Sequence, residues 1–164
     1  MAGRRAFVVA LAASTLAACG FQLRRAPELH FKTIQLSGFP PRSPLAADLK
    51  RSIDASTTTQ VVDAAKDAEV VLQALEEERQ KTSVAVTAAN QIREFELRLR
   101  FKFSLRTVAG KELIPPSEIL QKRDLTYTES AALAKEQEEA FLYRAMQADI
   151  VAQVMRRLAS VQVL

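Results

Sequence analysis

The side chains able to do chemistry are few, and their spacing excludes most of it. Cys19 is the only cysteine and His30 the only histidine. Neither a disulfide within the chain nor a nitrogen–sulfur metal cluster can be built from them. No Cys–His or Ser–His nucleophile pair comes with an orienting acid, and His30 reads as a surface residue. Glycines stand only at positions 3, 20, 38 and 110, too sparse for a phosphate-cradling loop or a dinucleotide fingerprint. Carboxylates do cluster, at Glu76-Glu77-Glu78 and at Glu136, Glu138 and Glu139. Neither run brings a partner acid suited to paired acid–base work, so both read as solvated faces. The pI of about 9.5 comes without a basic cluster dense enough for nucleic acid. Anionic lipid or glycolipid is the better partner for the surplus Lys and Arg. The expectation is a protein that is no enzyme, needs no cofactor or metal, and binds no nucleic acid.

With 164 residues, 48% hydrophobic and 26% charged, the chain fits one compact domain, and its first segment stands apart. Arg4 and Arg5 precede the apolar stretch Ala6-Phe7-Val8-Val9-Ala10-Leu11-Ala12-Ala13, and small residues follow up to Cys19, the anatomy of an export signal. Ser14 and Thr15 interrupt the run, which falls short of the roughly 20 apolar residues that a membrane span needs. Residues 1–18 are therefore expected to be removed, taking two of the formal charges in the net +4 with them. Leu16-Ala17-Ala18-Cys19 resembles the bacterial lipoprotein cleavage box. That resemblance implies diacylglycerol on the Cys19 thiol and a further acyl chain on its freed amine. One acyl chain holds a protein only marginally, at about 0.8 kcal/mol per buried CH₂, whereas two or more anchor it stably. Gly20, rather than Asp, after the cysteine implies by the same resemblance the outer membrane, with the body in the periplasm. Arg4-Arg5-Ala6-Phe7 also resembles a twin-arginine signal, leaving the export route open.

Residues 19–30, with Arg24, Arg25 and Pro27, read as a tether and 31–164 as a single domain. His30 to Ser37 predicts a strand. Pro40, Pro41 and Pro44 break it, and Ser43-Pro44 opens a helix with a hydroxyl cap and a proline where no amide donor is needed. Leu45, Leu49 and Ile53 make its apolar stripe. Gln60 to Asp63 looks like a short strand. Ala64 to Lys81 is in conflict: composition favours a helix, while Val70-Val71-Leu72 and Thr82 to Val86 are strand-like. Glu94 to Arg106 alternates without a break. Phe95, Leu97, Leu99, Phe101, Phe103 and Leu105 fall on one face, and Glu94, Glu96, Arg98, Arg100, Lys102, Ser104 and Arg106 on the other, the period of a half-buried strand. Residues 87–91 and 108–111 read as hairpin tips. Pro115-Pro116 is expected to stop further pairing, with Gln121 to Thr128 returning as a strand. Ala131 to Val161 turns helical, with Phe141, Ala145, Ala148, Ala152, Met155 and Ala159 as the stripe expected to cover the sheet. Arg156 and Arg157 sit at its end, where the helix dipole favours cations.

Leu-Ala-Ala-Cys19-Gly20-Phe21-Gln22-Leu23-Arg24, Ala131-Ala132-Leu133-Ala134-Lys135-Glu136 and Met155-Arg156-Arg157-Leu158, in this order of elements, resemble the LptE family of lipopolysaccharide-assembly lipoproteins. The resemblance tips the conflict toward a long strand from about Glu69 to Val86. It implies an α+β two-layer sandwich, a mostly antiparallel four-stranded sheet with two helices packed on one face. It also implies a non-catalytic lipoprotein that plugs the β-barrel translocon subunit LptD, helps assemble it and assists lipopolysaccharide insertion into the outer leaflet. Lys135 is carried over as a lipopolysaccharide contact. Family members can present a basic residue at the hairpin tip; here 87–91 offers none, and Arg93 is the nearest substitute. The sheet face left free by the helices would carry Arg98, Arg100, Lys102 and Arg106, able to meet a polar barrel lumen or phosphates. The alternative is a periplasmic lipoprotein accessory of an ABC-type lipid transport system.

Overall fold

The computed structural model describes residues 27–56, 58–86 and 91–162; Cys19, its signal and most of the tether lie outside the described residues. Five strands and two helices follow in the order β1 (Thr33–Ser37), α1 (Pro44–Asp54), β2 (Gln60–Val62), β3 (Val70–Val86), β4 (Ile92–Thr107), β5 (Glu112–Thr126) and α2 (Ala132–Ala159). The strands form one sheet in the order β2-β1-β3-β4-β5. β3, β4 and β5 are an antiparallel meander, whereas β1 lies parallel to both β2 and β3. The expected four-stranded, mostly antiparallel sheet is thus corrected to a five-stranded mixed one. α1 accounts for the β1–β2 pairing, because a helix crossing between two strands returns the chain in the starting direction, and the 63–69 connection, with its short turn at Ala65–Asp67, makes the second crossing to β3.

The conflict over 64–81 resolves as strand for most of its length: β3 pairs with β4 from Val70↔Thr107 to Val86↔Ile92. Helix propensity in the Glu-rich stretch is overridden by a neighbour that offers a continuous ladder. β5 requires a second correction, since it begins at Glu112 and runs through both prolines. Phe103 pairs with Ser117 and Leu105 with Ile114, so Pro115 and Pro116 sit together in a bulge opposite Ser104. Among the described residues no strand lies beyond β5 in the sheet, and on an edge strand the missing N–H of proline costs no ladder bond.

Leu97, Leu99, Phe101, Phe103 and Leu105 of β4 are buried in a single core with Leu45, Leu49 and Ile53 of α1. From α2 the core takes Tyr143, Met146, Ile150, Val154 and Leu158, spaced by threes and fours as one helical face requires. This corrects the expected stripe of α2. Met155 is buried, but Phe141 stands 62% exposed and Ala148 is exposed. Small alanines repeat at helical spacing on two sides of this helix, and the larger side chains choose the side that packs.

Two local devices set α1 on the sheet. Gly38, at φ +76°, carries the chain out of β1 against the backbone of Ala74, and Phe39 stacks on Phe101 at 5.7 Å between ring centroids. The Ser43 hydroxyl accepts the Ala46 amide at 3.0 Å and donates to Glu77 Oε2 of β3 at 2.7 Å, so it both caps α1 and ties it to the sheet. Ser43→Ala is expected to cost about 1 kcal/mol, read as a lower midpoint in urea with an unchanged slope.

Candidate functional site

Arg98, Arg100, Lys102 and Arg106 alternate with the buried residues of β4 and so share the face turned away from the helices. That face is not a bare array of cations. Arg98 Nε donates to Glu96 Oε1. Arg100 Nη1 lies 3.3 Å from Glu76 and 3.8 Å from Glu78 on β3, and its Nε lies 4.0 Å from Glu118 on β5. Lys122 reaches Glu96 at 4.0 Å. In register, Lys102 lies between Glu76 and Glu118, while Arg106 pairs with Glu112. Apart from Glu96, which β4 itself carries, the carboxylates come from the neighbouring strands, which is why the alternation of β4 alone did not show them. Pairs this exposed contribute less than about 1 kcal/mol each; their effect is to spread charge of both signs over the face.

Lys135 and Arg93 are brought to the same end of the molecule. Lys135 stands in the first turn of α2 with its side chain 18% exposed, where its ammonium donates to Thr126 Oγ1 at 3.0 Å and to Glu138 Oε2 at 2.8 Å. Thr126 pairs with Glu94, next to Arg93, whose carbonyl accepts the Tyr127 amide at 2.8 Å. Arg93 is exposed. It lines a cleft of about 250 Å³ with Gln91 and Ile92 on one side and Thr128, Glu129 and Ser130 of the β5–α2 connection on the other. Of the expected hairpin tip at 87–91, residues 87–90 lie outside the described residues.

A third cation stands nearby that the sequence pattern did not single out. Lys81 bonds Glu139 of α2 at 2.6 Å and lies 4.2 Å over the ring of Phe95, which meets Tyr127 edge-on at 5.4 Å. Its part emerges only from the β3–β4 register, which pairs Lys81 with Leu97 and Ser83 with Phe95. Further along, Tyr143 donates to the Gln80 carbonyl at 2.8 Å. Burial and then Glu139 push its hydroxyl pKa above the ordinary tyrosine value, against the guanidinium of Arg79, so the phenol stays a donor. The far end therefore combines ammonium and guanidinium groups within a framework held by α2. Such groups bind phosphate oxygens through charge-assisted hydrogen bonds.

A long-stranded mixed sheet, two helices on one face and cations gathered at its far end make a small α+β domain. Its relatives give the particular kind. The family model of LptE, described as lipopolysaccharide-assembly, matches residues 31–158, so the chain belongs to the LptE family and has a role in lipopolysaccharide assembly. The solved structure of an uncharacterized lipoprotein B from Nitrosomonas europaea is 33% identical, with a TM-score of 0.71, over 86% of this chain and 91% of that one. The rare lipoprotein B of Shewanella oneidensis has the same fold at 21% identity, with a TM-score of 0.66, over 79% of this chain and 95% of that one. So does a minor lipoprotein of Acinetobacter baumannii at 20% identity, with a TM-score of 0.64, over 82% and 96% of the two chains. No curated protein matches the chain.

Proposed function

We propose that this chain is the lipid-anchored outer-membrane subunit that plugs the LptD barrel, helps that barrel assemble, and assists the passage of lipopolysaccharide into the outer leaflet. Membership of the LptE family over residues 31–158 is the observation that carries this reading. Two features support it. The face bearing Arg98, Arg100 and Lys102 is a lattice of both charge signs, suited to a polar, water-lined wall in which either sign finds a partner. The cations Lys135 and Arg93 stand at one end of the fold, so a docked body would present them along one axis. In this role the protein performs no catalysis: it binds, fills and positions. Cys19, outside the described residues, is the proposed attachment point for the acyl chains.

The test is crosslinking in intact cells from a photoreactive residue placed at Arg106 or Glu118. An adduct with a large β-barrel protein is expected. Adducts only with inner-membrane transport components would favour the alternative of an ABC-system accessory, and an absence of any adduct would remove the plug. Cys19→Ala is expected to shift the protein from the sedimenting membrane fraction to the soluble one; continued sedimentation would refute the anchor.

A further inference from the structure

One apolar side of α2 lies opposite its core residues. Phe141, Ala145, Ala148 and Ala152 follow one another by threes and fours, across the helix from Met146, Ile150 and Val154 of the core. Phe141 is 62% exposed. Ala148 and Ala152, with Met155, line a groove of about 610 Å³ against Ser52 and Ala55 at the C-terminal end of α1. Its wall is mostly apolar, and of the charged side chains along it Asp48 and Arg51 pair with each other at 3.0 Å. Pro27, the first described residue, lines the same groove, so the tether joins the body there.

We infer that this groove seats the chain's own tether, with Phe21 and Leu23 covering the small residues between α1 and α2. Residues 19–26, outside the described residues, run directly into Pro27. At about 3.3–3.6 Å per residue, Leu23 can reach about 14 Å and Phe21 about 20 Å from Pro27. Ala148 and Phe141 precede Met155 by seven and fourteen residues, about 10 and 21 Å along a helix that rises about 1.5 Å per residue. The apolar side chains of the tether therefore match the stripe in spacing as well as in kind, and the alanines leave them room. Seated, the tether leaves only Cys19 and Gly20 free; released, it lets the body stand about 25 Å from its anchor. That consequence rests on the proposed acylation of Cys19, whereas the docking does not.

Trypsin cuts after arginine, and Arg24 and Arg25 lie inside the segment. The experiment follows cleavage at these two sites in the full chain held in detergent, with a synthetic peptide of residues 20–30 as the unprotected reference. Covering the equivalent of two methylenes corresponds to about tenfold, so cleavage about tenfold slower than in the peptide is expected. Ala148→Glu, at an exposed position that leaves thermal unfolding unchanged, is expected to bring the rate back toward that of the peptide. Leu23→Ser, outside the folded body, is expected to do the same. Parent cleavage as fast as the peptide's, or protection that survives either variant, would overturn the docking and leave the lipopolysaccharide role standing. Protection that appears only as the protein concentration rises would overturn it too, by assigning the groove to a second copy.

Discussion

Gly38→Ala is expected to destabilise the fold by about 3 kcal/mol and to lower its melting temperature by roughly 10 °C. Two costs coincide at this position. Gly38 sits at φ +76°, in the left-handed region where an L side chain costs about 1–2 kcal/mol. Its Cβ would also stand 2.3 Å from the Ala74 carbonyl oxygen, a backbone atom within the β3 ladder and beside the register shift between Ala74 and Glu76. Relief would have to come from moving β1 away from β3 or from distorting β3 itself, and forced overpacking of this kind costs about 1–3 kcal/mol. Gly110→Ala separates the two contributions. Gly110 has φ +93° with nothing within 4 Å of its Cβ position, so only the conformational cost applies, about 1–2 kcal/mol. Thermal unfolding of both variants by circular dichroism checks this, and equal losses would show that the contact with Ala74 contributes nothing.

The second large effect is expected from reversing the charges of Lys135 and Arg93 together. A hydrogen bond to a charged group contributes about 1.5–3 kcal/mol, so Lys135→Glu with Arg93→Glu should weaken lipopolysaccharide binding by about a hundredfold or more, with barrel association retained. Undiminished binding would remove both residues from the site. Glu138 supplies the opposite arm. Its carboxylate takes the Lys135 ammonium at 2.8 Å, so an arriving phosphate competes with it. Glu138→Gln is expected to strengthen binding a few-fold, corresponding to release of an exposed pair worth less than about 1 kcal/mol.

How much of this was legible in the sequence depended on whether a signal was local to one element. The unbroken alternation from Phe95 to Leu105 marked the buried face of β4, and Ser43-Pro44 marked the start of α1, because each needs only its own residues. Strand direction was not legible. Five patterns could be read as strands, yet nothing in Thr33–Ser37 says that its neighbours run parallel to it. Pro115-Pro116 was misread because proline forbids pairing only where an amide must donate, and being at the edge is a property of the whole sheet. The buried side of α2 was misread because its alanines satisfy the same period as its core residues. At the site, Lys135 and Arg93 came from the resemblance; Lys81, Glu138 and the carboxylates facing Arg100 needed the register and the docking of α2.

The double-proline bulge on β5 has a consequence for how one copy of the chain can meet another. The outer side of β5 is 15 residues long and would otherwise be a template for a stranger's backbone, the route by which sheets recruit one another into aggregates. Pro115 and Pro116 interrupt its row of donors, and Glu118, Lys122, Arg123 and Asp124 stud the remainder with charge. A second copy of the chain that meets this edge thus finds little to extend, and the sheet ends with the chain's own strands.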